Sequence, residues 1–264
     1  MYATHYHRAS SVQDALSLKS AAEDSRYLSG GMTLIATMKQ RLAAPTDLVD
    51  LRHVEAMKGV TVAGRTVRIG AGTTHYDVAS SAALAGVCPA ICALASHIGD
   101  PHVRHMGTIG GSIANNDPAA DYPSALLALD AVIVTDRREI GAADFFTGLF
   151  ETALVEDEIV TAVTFEAPEK AGYAKFPNPA SRYAMTGVFV TKGAGGVRVA
   201  VTGAGSDGVF RHAGLEQALS ARWSPDAVAG VAVDPSNLMA DLHASADYRA
   251  NLVKVMTKRA VAAA

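Results

Sequence analysis

Cysteine is scarce: the chain of 264 residues has two, Cys88 and Cys92. Two thiols cannot supply the four ligands that an iron–sulfur cluster or a Cys-only zinc site usually takes, so any such cluster would have to sit elsewhere. Long apolar runs are also missing, and no stretch approaches the ~18 uncharged residues of a bilayer span. There is no Lys/Arg-rich run either. The 23 basic and 26 acidic residues leave a formal charge of −3, without the footprint that a nucleic-acid backbone needs. The amino end, Met1 to Arg8, lacks a basic start followed by an apolar segment and a cleavage site, which predicts a cytoplasmic protein. No G-x-x-x-x-G-K-S/T run occurs, which argues against a single-loop triphosphate site.

What is present is an ordinary globular composition, 49% hydrophobic and 19% charged, at a length that suits one to three compact units. The opening reads as helix, strand, helix, strand. Ser11 with Asp14 three residues on is a capping pattern ahead of Ala15, Leu16 and Leu18, and Arg26-Tyr27-Leu28 is a short strand. Leu34, Ile35, Met38 and Leu42 fall at helical spacing, and Asp47 to Leu51 is the next strand. From Met57 the texture changes: Val60, Val62, Val67 and Ile69 bracket an Ala63-Gly64-Arg65 turn as a hairpin. Helical patterns follow at about 75–85 and 89–97, then an irregular stretch from Gly99 to Asp121 and a helix from Pro123. Ala131–Thr135 pairs with Glu139–Ala142, and strand alternation returns after Glu158. Later, Val188–Thr191 and Val197–Thr202 flank Lys192 to Gly196 as an antiparallel hairpin. A closing helix carries Tyr248, Leu252, Val255, Met256 and Arg259 on its apolar face and basic end.

Two glycine turns carry the chemistry. Ser29-Gly30-Gly31-Met32-Thr33 joins a strand to a helix, lets backbone come close to a ligand and offers N–H groups to an anion. A plain strand-to-helix turn would look the same. The run from Gly107 to Asp121 is rich in glycine and small polar residues, and is costly to order because glycine loses the most entropy on folding; such a segment usually wraps something. Its Thr108, Ser112, Asn115 and Asp121 supply donors and acceptors suited to phosphates and ribose, and Gly110-Gly111 would let peptide N–H groups reach a diphosphate. Gly31 and Gly111 lie 80 residues apart, in separate units, which predicts one extended dianionic ligand held from both sides. A dinucleotide has that shape.

Other signals carry less. Gly203-Ala204-Gly205-Ser206-Asp207-Gly208 spells G-x-G-x-x-G, but Val209-Phe210-Arg211 reads as strand or turn, and too few residues follow for a two-half dinucleotide fold. Gly110-Gly111-Ser112-Ile113-Ala114 approximates a nucleophile elbow without the apolar strand that should precede it. His97, His102 and His105 have no carboxylate or thiol pattern to complete a metal site and read as surface or capping histidines, while Arg104 could neutralise phosphate charge. Cys88 and Cys92 read as small buried residues. In Tyr173 to Tyr183, the Tyr183 ring could cover a planar heterocycle and Lys175 could stabilise negative charge on it. A half-buried tyrosine beside a solvated lysine fits equally well.

Ser29 to Leu34, His97 to Ala114 and Asp117-Pro118-Ala119-Ala120-Asp121-Tyr122-Pro123 together resemble the flavin-binding medium subunit of the carbon monoxide dehydrogenase and xanthine dehydrogenase family, the molybdenum hydroxylases. The resemblance covers nearly the whole chain and is most specific at the second glycine turn and its D-P-A-A-D continuation. It implies an α+β protein with a two-subdomain α/β FAD-binding domain of the vanillyl-alcohol-oxidase-like (PCMH) kind over 1–165, divided at about 1–55 and 56–165. A smaller C-terminal antiparallel sheet with helices would span 166–264. FAD would lie between the first two subdomains. The cofactor-binding positions implied are Ser29, Gly30, Gly31, Met32 and Thr33, then Thr108, Ile109, Gly110, Gly111 and Ser112, then Asn115 and Asp121. Val160, Lys175 and Tyr183 are implied near the isoalloxazine. No catalytic acid, base, nucleophile or metal ligand is implied. The expected partners are a [2Fe-2S] small subunit and a molybdopterin large subunit. The expected function is electron transfer, as the oxidoreductase component that takes electrons from the partner's clusters and passes them to an external acceptor. A stand-alone flavin-dependent reductase or oxidase of the same fold, and a scaffold module without flavin, stay open.

Overall fold

The computed structural model describes residues 1–264. Its first unit is a parallel sheet in the order β1–β3–β2, built from β1 (His5–Arg8), β2 (Ser25–Leu28) and β3 (Asp47–Asp50). Parallel neighbours need crossovers, which α1 (Val12–Ser20) and α2 (Leu34–Lys39) supply. Ser11 caps α1 by accepting the Asp14 N–H, as the sequence pattern predicts. β1 lies outside the predicted elements: His-Tyr-His-Arg has no apolar alternation, and the strand exists because its backbone pairs with β3 from His5–Asp47 to Arg8–Asp50.

The second unit is an antiparallel sheet in the order β4–β5–β10–β6–β7. The predicted hairpins appear as β4 (Val60–Ala63) with β5 (Thr66–Gly70), and β6 (Val132–Thr135) with β7 (Glu139–Gly141). Between β5 and β6 run α3 (His75–Ser80), α4 (Ala82–Ala85), α5 (Pro89–Ser96), α6 (Pro101–Met106), α7 (Ile109–Asn115) and α8 (Tyr122–Ala128). After β7 come α9 (Ala142–Phe145) and the ribbon β8 (Phe146–Gly148) and β9 (Glu151–Thr152), before β10 (Val160–Glu166) returns to the middle of the sheet. The stretch from Gly99 to Asp121, predicted irregular, thus contains α6 and α7. Asp100 caps α6 through the Val103 N–H, Thr108 caps α7 through the Gly111 N–H, and Ile109 and Ile113, one turn apart, are fully buried. Caps and burial here outweigh the poor helix propensity of Gly110-Gly111.

The third unit is an antiparallel meander of β11 (Lys170–Pro177), β12 (Ala184–Gly193), β13 (Gly196–Thr202) and β14 (Phe210–Arg211). Behind it pack α10 (Ala213–Ala221) and α11 (Ala246–Ala262), with Leu252, Val253, Met256 and Ala260 buried. Tyr248, predicted on the apolar face of α11, is half-exposed instead. The G-x-G-x-x-G run is the turn from β13 into β14, and Gly203 serves packing: a Cβ there would lie 2.2 Å from Ala184 O. No helix is long and apolar enough to cross a membrane.

Asp117 to Asp121 sews the second unit to the third. The Gly203 N–H donates to Pro118 O at 2.9 Å, the Ala184 N–H to Ala119 O at 3.3 Å, and the buried Thr202 hydroxyl to Ala120 O at 2.6 Å. Thr202→Val keeps the shape and removes the donor, so urea unfolding should show a loss of about 1–2 kcal/mol. Unchanged stability would contradict a role for this bond in the seam.

Candidate functional site

In an open α/β sheet, ligands find room beyond the carboxyl ends of the parallel strands. Here β2 ends at Leu28 and the chain enters the first glycine turn, beside a cleft of about 810 Å³ walled by residues of all three units. That volume is of the size small-molecule and cofactor sites occupy.

Gly31 has φ +71°, a left-handed conformation that glycine adopts without strain. Gly30 is pressed against the second turn, where a Cβ would fall 2.2 Å from Met106 O and 2.6 Å from Gly107 Cα. The hydroxyls of Ser29 and Thr108 join the two turns at 2.8 Å. The N–H groups of Gly30, Gly31, Met32, Thr33 and Leu34 find no acceptor within the protein. Consecutive backbone donors left unpaired in a concavity form an anion-binding surface.

The second turn contributes differently. The Ile109 N–H donates to Thr73 O at 3.1 Å, the Gly110 N–H to Ala71 O at 2.8 Å, and the Gly111 N–H to the Thr108 hydroxyl at 3.1 Å. The amides that the sequence suggests for a diphosphate are therefore engaged. Packing explains Gly110 instead, since a Cβ there would lie 2.5 Å from the Ala71 methyl and 2.7 Å from Ala71 O. Thr108, Gly110, Gly111, Ser112 and Asn115 line the cleft, together with Ser29 to Thr33. Ile109 does not; its side chain is fully buried in the core.

Asp121, Val160, Lys175 and Tyr183 line the same cleft. Lys175 is buried rather than solvated, with Nζ 2.9 and 3.0 Å from the two Asp121 oxygens and 3.2 Å from His97 O. The Tyr173 hydroxyl also donates to Asp121. Burial pushes the Asp121 carboxyl above its ordinary value, against the pull of Lys175 and Tyr173. A carboxylate so occupied has little left for a ribose. Tyr183 is half-exposed at the cleft.

Several wall residues escape the sequence reading. Lys19 pairs with Asp157 at 2.8 Å. Glu158 accepts two Arg138 bonds at 2.9 Å, one from the Thr135 hydroxyl and one from the Val155 N–H, and the Arg138 contacts hold its carboxyl down at about 2. Lys19 and Lys175 are both tied to wall carboxylates, so positive potential toward a ligand comes from the backbone amides and from Arg26 and Arg182, which line the cleft without a carboxylate partner. His75 also lines the cleft. It is buried, its Nδ1 has no partner, and its ring lies 5.4 Å from that of Tyr122. Burial, aided by the Arg104 charge, lowers it to about 4. Among nine histidines, nothing local marks this one. By contrast, His105 stacks on Tyr76 at 4.2 Å and meets Pro101 O through Nδ1, while Arg104 is bonded to Ile98 O and Gly99 O.

Residues 2–167 match the family described as the FAD binding domain in molybdopterin dehydrogenase. The chain is 34% identical to the nicotine 6-hydroxylase medium subunit of Paenarthrobacter nicotinovorans, over 98% of this chain and 96% of that one. It is 32% identical to the carbon monoxide dehydrogenase medium chain of Hydrogenophaga pseudoflava, over the same shares. Among solved structures, it matches a chain of the cyanide-inactivated Cu,Mo-CO dehydrogenase with a TM-score of 0.86 and 32% identity, over 100% of this chain and 98% of that one. Family, sequence and fold thus agree with a cleft built around unpaired backbone donors, and the chain belongs to the FAD-binding medium subunits of the molybdenum hydroxylases, the family of carbon monoxide and xanthine dehydrogenases.

Proposed function

We propose that this chain is the electron-transfer subunit of a molybdenum hydroxylase complex, taking electrons from the [2Fe-2S] clusters of a small partner subunit and passing them to an external acceptor. A molybdopterin large subunit would complete the assembly. The observation that carries the reading is the row of unpaired N–H groups from Gly30 to Leu34 on the cleft. Such a row suits a diphosphate, whose charge it meets with backbone donors. The two buried, free thiols support an external source of clusters.

On this reading Gly30, Gly31, Met32 and Thr33 hold the diphosphate, with Ser29, Thr108, Gly111 and Ser112 around it and Asn115 toward the ribose. Gly110 and Ile109 serve by packing the second turn. Val160 and Tyr183 face the isoalloxazine, and Asp121 and Lys175 stand beside it as a net-neutral pair. When bound, FAD supplies the redox chemistry; the chain supplies position and electrostatics.

Purified chain should take up FAD in a one-to-one ratio, and ADP should compete because it carries the same diphosphate. The flavin should be reduced by a reduced iron–sulfur partner. Protein that stays colourless in excess FAD would overturn the reading, and turnover of an organic acceptor with NAD(P)H by the isolated chain would replace it with a stand-alone reductase.

A further inference from the structure

The six residues Asn178 to Tyr183 form an arm between β11 and β12 that reaches the cleft through Ser181, Arg182 and Tyr183. The arm is closed on itself. The Asn178 N–H donates to Tyr183 O and the Arg182 N–H to Asn178 O, both at 2.8 Å, while Asn178 Oδ1 accepts the Ala180 N–H at 2.9 Å. It can therefore act as one body, whose direction depends on its two roots. The exit root is tied by the Ala184 N–H to Ala119 O. The other root carries Lys175, whose Nζ binds Asp121 and His97 O, with the Tyr173 hydroxyl on the same carboxylate. Both anchors lie in the Asp117–Asp121 seam, and Lys175 and Asp121 are almost wholly buried, at 4% and 5% side-chain exposure.

We infer that the Asp121–Lys175 pair is a net-neutral latch that positions the arm, and with it Tyr183, over the flavin half of the cleft. Both are positioning residues, and neither is needed by the diphosphate half. The inference rests on the FAD reading for its consequence in binding, but the latch itself is a property of the chain alone. Removing one partner leaves a buried charge or a buried donor uncompensated, so the root of the arm must move; removing both leaves a neutral, hydrogen-bonding pair.

The test compares Asp121→Asn, Lys175→Gln and the double variant in the full chain. In FAD-free protein, hydrogen exchange of residues 178–185 should speed at least tenfold in each single variant and return to within threefold of wild type in the double. FAD affinity should fall and recover in the same pattern, while ADP affinity stays within twofold throughout. Where a single-charge variant does not fold, Tyr173→Phe carries the test, since its ring stays packed 6.1 Å from that of Phe189; it should speed exchange in 178–185 two- to fivefold. Unaltered exchange in that segment, a double variant no better than the worse single, or ADP affinity falling in step with FAD each overturns the latch. Failure of wild-type chain to bind FAD overturns the functional reading alone, because the exchange result in FAD-free protein still decides the latch.

Discussion

Gly30→Ala is expected to cost about 100-fold or more in FAD affinity, whereas Gly111→Ala, in the other turn, should cost about tenfold at most. The Cβ at position 30 would meet main chain, Met106 O at 2.2 Å and Gly107 Cα at 2.6 Å, and main chain cannot rotate out of the way. One turn must retreat. If the second retreats, Thr108 leaves Ser29; if the first does, the row of free N–H groups is broken. At position 111 the contacts are the Thr108 hydroxyl at 3.0 Å and the Ser29 Cβ at 3.8 Å, so a small adjustment suffices. Calorimetric titration of both variants with FAD and with ADP checks this, alongside melting of the FAD-free proteins. Gly30→Ala binding both within threefold of wild type would show that the approach of the turns is not what builds the site.

The second large effect is acid lability through His75. Its folded value of about 4 lies below the ordinary 6.5, so between these limits the unfolded chain binds a proton that the folded chain refuses. Stability falls as pH drops through that window, by about 3 kcal/mol in total, and the loss is complete below pH 4. Above pH 6.5 both states are neutral and the residue contributes no slope. Glu158 acts lower: its contribution is present above its unfolded value of 4.5 and is lost as pH falls from there toward about 2. His212 is also lowered by burial, so the comparison must isolate His75. His75→Phe keeps a ring beside Tyr122 and removes the titration. Urea unfolding at pH 7, 5.5 and 4.5 should show a shallower loss in the variant, and an identical slope in both proteins would exclude His75 as the cause.

Local sequence patterns predicted much of the frame: the cap at Ser11, the hairpins at Ala63-Gly64-Arg65 and Lys192 to Gly196, and the first glycine turn before a helix. Each is decided by interactions within a few residues. β1 was illegible because its strand is created by a partner some forty residues away, as the His5–Asp47 register shows. The helix over Ile109–Asn115 was illegible because two glycines argue against it locally, while burial of Ile109 and Ile113 argues for it globally.

The same division runs through the site. Chain composition was enough to exclude a four-cysteine iron–sulfur cluster within this chain, because two thiols supply only half of its ligands however the chain folds. It was enough to mark Gly30-Gly31 and Gly110-Gly111 as places where backbone comes unusually close to something. What each pair approaches depends on tertiary contact: Gly110 is closed off by Ala71, while Gly30 to Leu34 are left with donors that no protein group satisfies. Burial likewise singled out His75, and packing turned Asp121 from a free acceptor into the partner of Lys175. Residue type sets which bonds a group can make, but which of them remain to be made is known only once every distant neighbour is in place.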